Sequence, residues 1–254
     1  MLVVKWFILL MVYSFIGWIY ESIVVSVEER RLVNRGFLNG PICPVYGFGG
    51  LIIISLLYNK VENTFVLFLI CMVITTTLEY ITAIILEKVF DARWWDYSNY
   101  PLNFQGRICL LGAVVFGILG VLALRHWHPF LLNLLEIIPP WVLVVIFCIW
   151  FLAFVVDMVV TIRHLFRLNN RLQEIQGVVN SFLEQYAKRA EELKASAFER
   201  LEESEFYTER IRKLFNSQRF QDIRIALAFP KLRPFHNNEA WQWLKSKLIK
   251  KNKP

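Results

Sequence analysis

No GxxxxGKS/T run occurs in the 254 residues, so this chain cannot hydrolyse nucleotide through a P-loop. HExxH and GxSxG are missing too, and with them two common hydrolase signatures. The four cysteines, Cys43, Cys71, Cys109 and Cys148, form no CxxC pair and all fall in apolar stretches. That excludes a secreted disulfide scaffold and makes buried thiols the expected state, with no metal site. Charge is low: 19% of residues are charged, against 56% hydrophobic and 15% aromatic. A soluble domain cannot hide that much apolar surface. A soluble globular enzyme and a disordered chain are therefore both excluded, and the bilayer is the natural solvent.

Five stretches are long and apolar enough to cross a membrane, which takes about 17–25 residues. They are Trp6–Val27, Ile42–Tyr58, Thr64–Leu86, Ile108–Leu124 and Trp141–Ile162. The first is preceded by a single basic residue, Lys5, and no small-residue cleavage site precedes Glu21, so it reads as a span and not a signal peptide. The expected fold is all-α, a polytopic bundle of five transmembrane helices with a helical C-terminal tail. Its parts are a membrane domain over 1–162, an amphipathic helical region over 163–229 and a terminal helix over 230–254.

Loop charge sets the expected orientation. With the N-terminus outside, inner loops 28–41 and 87–107 carry Arg30, Arg31, Arg35, Lys88, Arg93 and Arg107, while the outer segments carry only Lys5, Lys60 and Arg125. Basic residues are retained on the cytoplasmic side, so N-out, C-in is expected. Residues 1–162 hold 9 Lys/Arg and 10 Asp/Glu, and residues 163–254 hold 19 and 11, so the net charge of +7 resides in the tail. Trp6, Trp94, Trp95, Trp127 and Trp141 then fall near the interfaces, where amphipathic rings settle. His126 and His128 fall on an outer loop and are expected to be solvated.

Charge inside a span costs about 2.5–3.5 kcal/mol on insertion scales, so each case needs a partner or a purpose. There are three, Glu21, Glu79 and Asp157, placed 15, 15 and 16 residues after the outer starts of spans one, three and five. At about 1.5 Å per residue all three reach a similar depth, about 22–24 Å in. Arg35 and Arg107 are their obvious partners, and one inner-side cluster of these five side chains is expected. The surrounding loops are rich in turn formers and polar groups: Asn34-Arg-Gly-Phe-Leu-Asn-Gly40-Pro41, and Trp94-Trp95-Asp96-Tyr97-Ser98 followed by Asn103, Gln105 and Gly106. Helix starts at Pro41 and Arg107 would offer free backbone N–H groups, a natural anion seat. Two purposes fit equally: a substrate or gating site, or carboxylates that merely neutralise arginines and pin loops.

Gly-x-Ile-Cys opens both the second and the fourth span, at 40–43 and 106–109, each time after a span that bears a carboxylate. This suggests a duplicated two-helix unit. Cys43/Gly47 and Ala113/Gly117 are small-xxx-small pairs, expected to let helices approach closely; a hinge at Gly47, Gly49 and Gly50 is the less favoured reading.

In the tail, Leu165, Leu168, Leu172, Ile175, Val179, Phe182 and Tyr186 keep a three–four spacing until Arg189 and Ser196 interrupt it. A short coiled coil and packing on neighbours within the chain fit this equally. Trp241 and Trp243 among Lys245, Lys247 and Lys250 read as a membrane-surface anchor, since basic residues near an anionic leaflet gain about 1 kcal/mol each. A plain surface helix is the alternative.

Several boxes together resemble a known family. They are Gly17-Trp18 with Glu21, Asn34-Arg-Gly-Phe-Leu38, Gly40-Pro-Ile-Cys-Pro-Val-Tyr46-Gly47, Leu78-Glu-Tyr80, Trp94-Trp-Asp-Tyr-Ser98, and Asn103 leading into Gly106-Arg-Ile-Cys-Leu110. Their order over residues 10–160 resembles the bacterial membrane-protein family labelled putative ABC-transporter permease, type IV (CmpB-like). Ala226-Leu-Ala-Phe-Pro230 and the following helix are similar to the tail of longer members. The resemblance implies residence in a bacterial cytoplasmic membrane and a permease-like role without a settled substrate.

Three functions compete. A transporter membrane subunit would use the polar cluster as its substrate or gating site and work with membrane lipids, a separate ATPase subunit and a second copy of itself. A scaffold or sensor would recruit a partner through the tail. A lipid-headgroup enzyme would need a carboxylate base with Arg107 holding phosphate, and it ranks last because no nucleophile or metal set accompanies the acids. No cofactor and no nucleic acid are expected.

Overall fold

The structure, a computed structural model, describes residues 1–185 and 219–250. Long apolar runs become helices because a helix satisfies its own backbone hydrogen bonds, which hydrocarbon cannot do. α1 is Leu2–Glu29, α2 Pro44–Leu57 and α3 Thr64–Phe90. α4 (Leu110–Leu122) passes through a π-helical turn, Ala123–Trp127, into α5 (His128–Ile137), and α6 runs over Pro140–Gln185. α7 (Arg219–Ala228) and α8 (Asn238–Lys250) follow. Among the described residues, four two-residue strands lie between helices: β1 Ala92–Arg93, β2 Asn103–Phe104, β3 Ile108–Cys109 and β4 Arg233–Pro234. β1 pairs antiparallel with β4, and β2 with β3.

Among the described residues, four helices are long and apolar enough to cross a membrane: Leu2–Glu29, Thr64–Phe90, Leu110–Ile137 and Pro140–Gly177. The expected second span differs. α2 has 14 residues, about 21 Å at the helical rise, against a hydrocarbon core of about 30 Å. It is short because Cys43 before it and Tyr58 after it are both extended. The fourth helix is longer than expected, because the chain does not leave it at Leu124. Pro129 lacks the N–H a regular turn would need, and the register is taken up by the π turn, with the His128 N–H donating to the Ala123 carbonyl. His128 is thereby buried, not solvated on a loop. Its Nδ1 lies 3.2 Å from the Tyr13 hydroxyl, and the Tyr58 ring meets it edge-on at 4.5 Å.

The chain divides into two compact units. The first is Met1–Leu86 with Trp95–Thr161, the second Glu87–Trp94 with Ile162–Pro254. In the first unit, Ile8, Leu9 and Tyr13 of α1 join Ile53, Ile54 and Leu57 of α2, Leu67 and Cys71 of α3, and Leu143 of α6 in one core. The glycines serve packing. Gly47 abuts Ser14 and Leu10 of α1, while Gly117 and Gly120 abut Phe68 and Cys71 of α3. Of the cysteines, Cys43, Cys71 and Cys109 are buried but Cys148 is exposed, contrary to the expectation for all four.

The second unit has its own core. Leu165, Leu168, Leu172 and Ile175 of α6 are buried, as are Ile225 and Ala226 of α7 and Trp241 and Leu244 of α8. Four positions of the expected seam are thus covered by the chain itself. The side chains of Val179 and Phe182, and the whole of Tyr186, Arg189 and Ser196, lie outside what is described. Fully buried Asp222 takes a two-point bond from Arg171, at 2.8 and 2.6 Å, and His164 Nε2 stands 3.2 Å from it without hydrogen-bond geometry.

Candidate functional site

The loop after α1 is stitched back onto that helix. Trp18, Ser22 and Ser26 recur every four residues and form one stripe. Trp18 Nε1 donates to Asn34 Oδ1 at 2.7 Å, Ser22 Oγ accepts the Arg35 N–H, and Ser26 Oγ accepts the Val33 N–H. Asn34 Oδ1 also accepts the Gly36 N–H, closing a tight turn. Arg35 is thereby held with its Nε 3.6 Å from Glu21 Oε2. From the first turn of α2, the Tyr46 hydroxyl donates to Glu21 Oε1 at 2.6 Å.

The loop after α3 builds a parallel arrangement. β2 and β3 form a hairpin whose tip needs left-handed backbone at Gln105 and at Gly106, with φ of 54° and 68°. Asn103 braces the tip, accepting the Gly106 N–H and donating to the Ser98 and Tyr100 carbonyls. The Gly106 carbonyl then accepts the Tyr97 N–H at 2.8 Å, which sets Tyr97 so that its hydroxyl donates to Glu79 Oε1 at 3.2 Å. Burial, and after it the charge of Glu79, push the Tyr97 phenol well above its usual value, so it remains a donor. Trp95 is fixed by its Nε1 donating to the Arg107 carbonyl at 2.9 Å.

These two arrangements converge on one cavity of about 460 Å³. Glu21, Arg35, Tyr46, Glu79, Trp95 and Tyr97 line its polar part, and Ile16, Ile53, Leu119, Ala123 and Trp127 its apolar part. Six of the sequence-predicted residues are therefore brought together, and Asn34 supports them from outside.

The expected five-member cluster is divided. Asp157 of α6 does not line the cavity. Its carboxylate accepts the Asn39 N–H at 3.0 Å, the Asn39 Nδ2 at 2.8 Å, the Gly40 N–H at 2.7 Å and the Thr161 hydroxyl at 3.2 Å. The anion seat expected beside Pro41 is filled by the chain's own carboxylate, and the helix itself starts three residues later, at Pro44. Arg107 also stays out. Its guanidinium lies over the Tyr80 ring, 5.7 Å from the centroid, and donates to Gln105 Oε1. A residue count along a helix carries no direction: Asp157 turns toward the Asn39–Gly40 turn and Arg107 toward its own hairpin.

The remaining predicted residues have local roles. Asp96 accepts from the Ser98 N–H and hydroxyl, and Pro41 is exposed in its loop. Trp94 belongs to the second unit, where its ring meets Phe229 edge-on at 4.8 Å. Trp241 is 0% exposed and Trp243 9%, so their indoles are core and have no face to offer a membrane surface. Trp241 Nε1 donates to the Leu232 carbonyl and Lys245 Nζ to the Pro230 carbonyl. The side chains of Lys247 and Lys250 lie outside what is described.

Sequence reasoning missed Tyr13, Gly17, Tyr20, Leu119 and Trp127 at the cavity. Tyr13, Gly17 and Tyr20 follow a four–three spacing that runs into Glu21, a visible stripe on α1. Among the described residues, no group of three or more His, Cys, Asp and Glu side chains could hold a metal ion.

A family model described as "Putative ABC-transporter type IV" matches residues 8–162, more than half of the chain. No curated protein and no solved structure matches it.

Proposed function

This chain belongs to the putative ABC-transporter type IV family, and on that premise we propose that it is the membrane subunit of a transporter whose cavity between α1, α2, α3 and α4 is the substrate or gating site. The observation that carries the reading is the cavity itself: two glutamates and one arginine line a largely apolar space inside a helix bundle. Ionisable groups at such depth ordinarily mark a ligand or ion pathway. The basic residues of loops 28–41 and 87–107 favour seating the chain N-out and C-in in a bacterial cytoplasmic membrane, with the region after Arg163 in the cytoplasm. α2 then serves as a short fifth membrane helix, its ends completed by extended chain. No P-loop occurs in these 254 residues, and the family points to a partner ATPase subunit as the source of energy. The most apolar windows of α3 and α6 are only 11% and 6% buried, leaving broad faces for lipid or for a second copy.

Purification in native nanodiscs followed by mass spectrometry tests this. A near-stoichiometric ATPase is expected. Its absence, with a soluble partner retained and then lost when the chain is cut after Arg163, would overturn the transporter reading. That result would favour a scaffold, for which the separate core around Asp222 and Trp241 speaks.

A further inference from the structure

The cavity is unevenly charged. Glu21 is answered by Arg35 and by the Tyr46 hydroxyl. Glu79 has one donor, the Tyr97 hydroxyl, and its Oε2 is buried with no hydrogen-bond partner. Among the described residues no Lys, Arg or His forms an ion pair with it. A carboxylate buried without a counter-charge is costly, and a second carboxylate on the same cavity makes it more so. A proton or a bound cation relieves that cost.

The walls narrow the kind of cation. Tyr46, Trp95 and Tyr97 line the polar part, and each is anchored by its polar tip, to Glu21, to the Arg107 carbonyl and to Glu79. Aromatic rings attract ammonium groups, alkylated ones included, through the negative quadrupole of their faces. Ile19, Ile23 and Val45 line the cavity and are also exposed on α1 and α2, so its mouth is apolar. A hydrophilic solute gains nothing at such a mouth, whereas an amphiphile enters from hydrocarbon. The size agrees, since 460 Å³ falls within the ordinary range of small-molecule sites. From Tyr13 to Ile23 the α1 wall rises about 15 Å, the reach of a medium alkyl chain with its head.

We propose that this cavity binds an amphiphile carrying a single ammonium group, its head between Glu79 and the aromatic rings and its apolar body toward Leu119 and Trp127. The inference deepens the transporter reading, whose site it shares, and rests on it for the ligand being carried and not only held.

The test uses the full chain purified without any ATPase, in nanodiscs of neutral lipid. Saturable binding of radiolabelled decyltrimethylammonium is measured, with decyl sulfate and decanol as competitors. One site per chain is expected, with neither competitor displacing the cation at equal concentration. Glu79→Gln, which keeps the shape and removes the charge, is expected to weaken binding by about tenfold or more. Leu119→Trp, which fills the apolar part, is expected to abolish it and decides the matter should Glu79→Gln fail to fold. Non-saturable uptake, displacement by decyl sulfate, or unchanged affinity in both variants overturns the proposal. Cation binding, with no ATPase but a tail-dependent soluble partner in native membranes, upholds this inference while the transporter reading falls. An ATPase found with no cation binding overturns this inference alone.

Discussion

Gly17 of α1 packs against the base of the Tyr46 side chain: a Cβ built on Gly17 would stand 2.7 Å from Tyr46 Cδ2 and closer still to Cγ and Cβ. That approach brings the Tyr46 hydroxyl to Glu21, one turn further along the same helix. A helical glycine ordinarily costs about 1 kcal/mol relative to alanine, so Gly→Ala should stabilise. Here overpacking, at about 1–3 kcal/mol, wins. Gly17→Ala is expected to lower the thermal unfolding midpoint in detergent. Gly177→Ala, at an exposed helical position with nothing within 4 Å, is expected to raise it. A lower midpoint for both would show that the Tyr46 contact is not the cause.

Asp157 is the lock of the first loop. Its two oxygens accept two backbone N–H groups, one side-chain amide and one hydroxyl. Asp157→Asn replaces one acceptor with a donor facing these donors; an unsatisfied buried group costs about 1–3 kcal/mol, and this part-buried site less. Faster hydrogen exchange is expected at the Asn39 and Gly40 amides. Because Asp157 does not line the cavity, decyltrimethylammonium affinity is expected to stay within about twofold. A large loss of affinity would place Asp157 in the ligand site after all.

The tail unit depends on a fully buried carboxylate. Removing one partner of a buried pair costs about 3–5 kcal/mol where the other charge is left uncompensated, and less here because His164 stays 3.2 Å from Asp222. Arg171→Leu is therefore expected to open the second unit to limited proteolysis. Arg171→Lys is expected to rescue it only in part, since an ammonium cannot make the two-point contact with Asp222. Equal protease resistance in all three proteins would mean that apolar packing alone holds the unit.

Orientation is open to labelling. Lys60→Cys lies in the short connection between α2 and α3, and Leu32→Cys in the loop after α1, where Leu32 is 99% exposed. With the N-terminus outside, an impermeant maleimide is expected to label the first in intact cells and the second only after permeabilisation. The reverse pattern would invert the proposed topology.

Sequence by itself determined the solvent and the class of fold. Apolar runs of this length have no other way to satisfy their backbone, so membrane-type helices follow from composition and periodicity. It also selected six of the side chains that meet at the cavity: Glu21 and Glu79 as charges in apolar spans, Arg35, Trp95 and Tyr97 from the polar inner loops, and Tyr46 from the family resemblance. A count of residues along a helix carries no direction. Glu79 and Asp157 read as equivalents along the chain, yet one faces a cavity and the other binds a backbone turn. The azimuth of a span is fixed only by which neighbour packs against it. The same holds for Trp241 and Trp243, whose mixture with lysines suits a membrane surface until a core closes over them. The helix ends went astray for a different reason: extended chain at Cys43 and Tyr58 and a π turn at Ala123–Trp127 are local geometries that hydrophobicity does not encode. Composition decided what had to be buried from water, and tertiary packing decided which polar groups would face each other once it was.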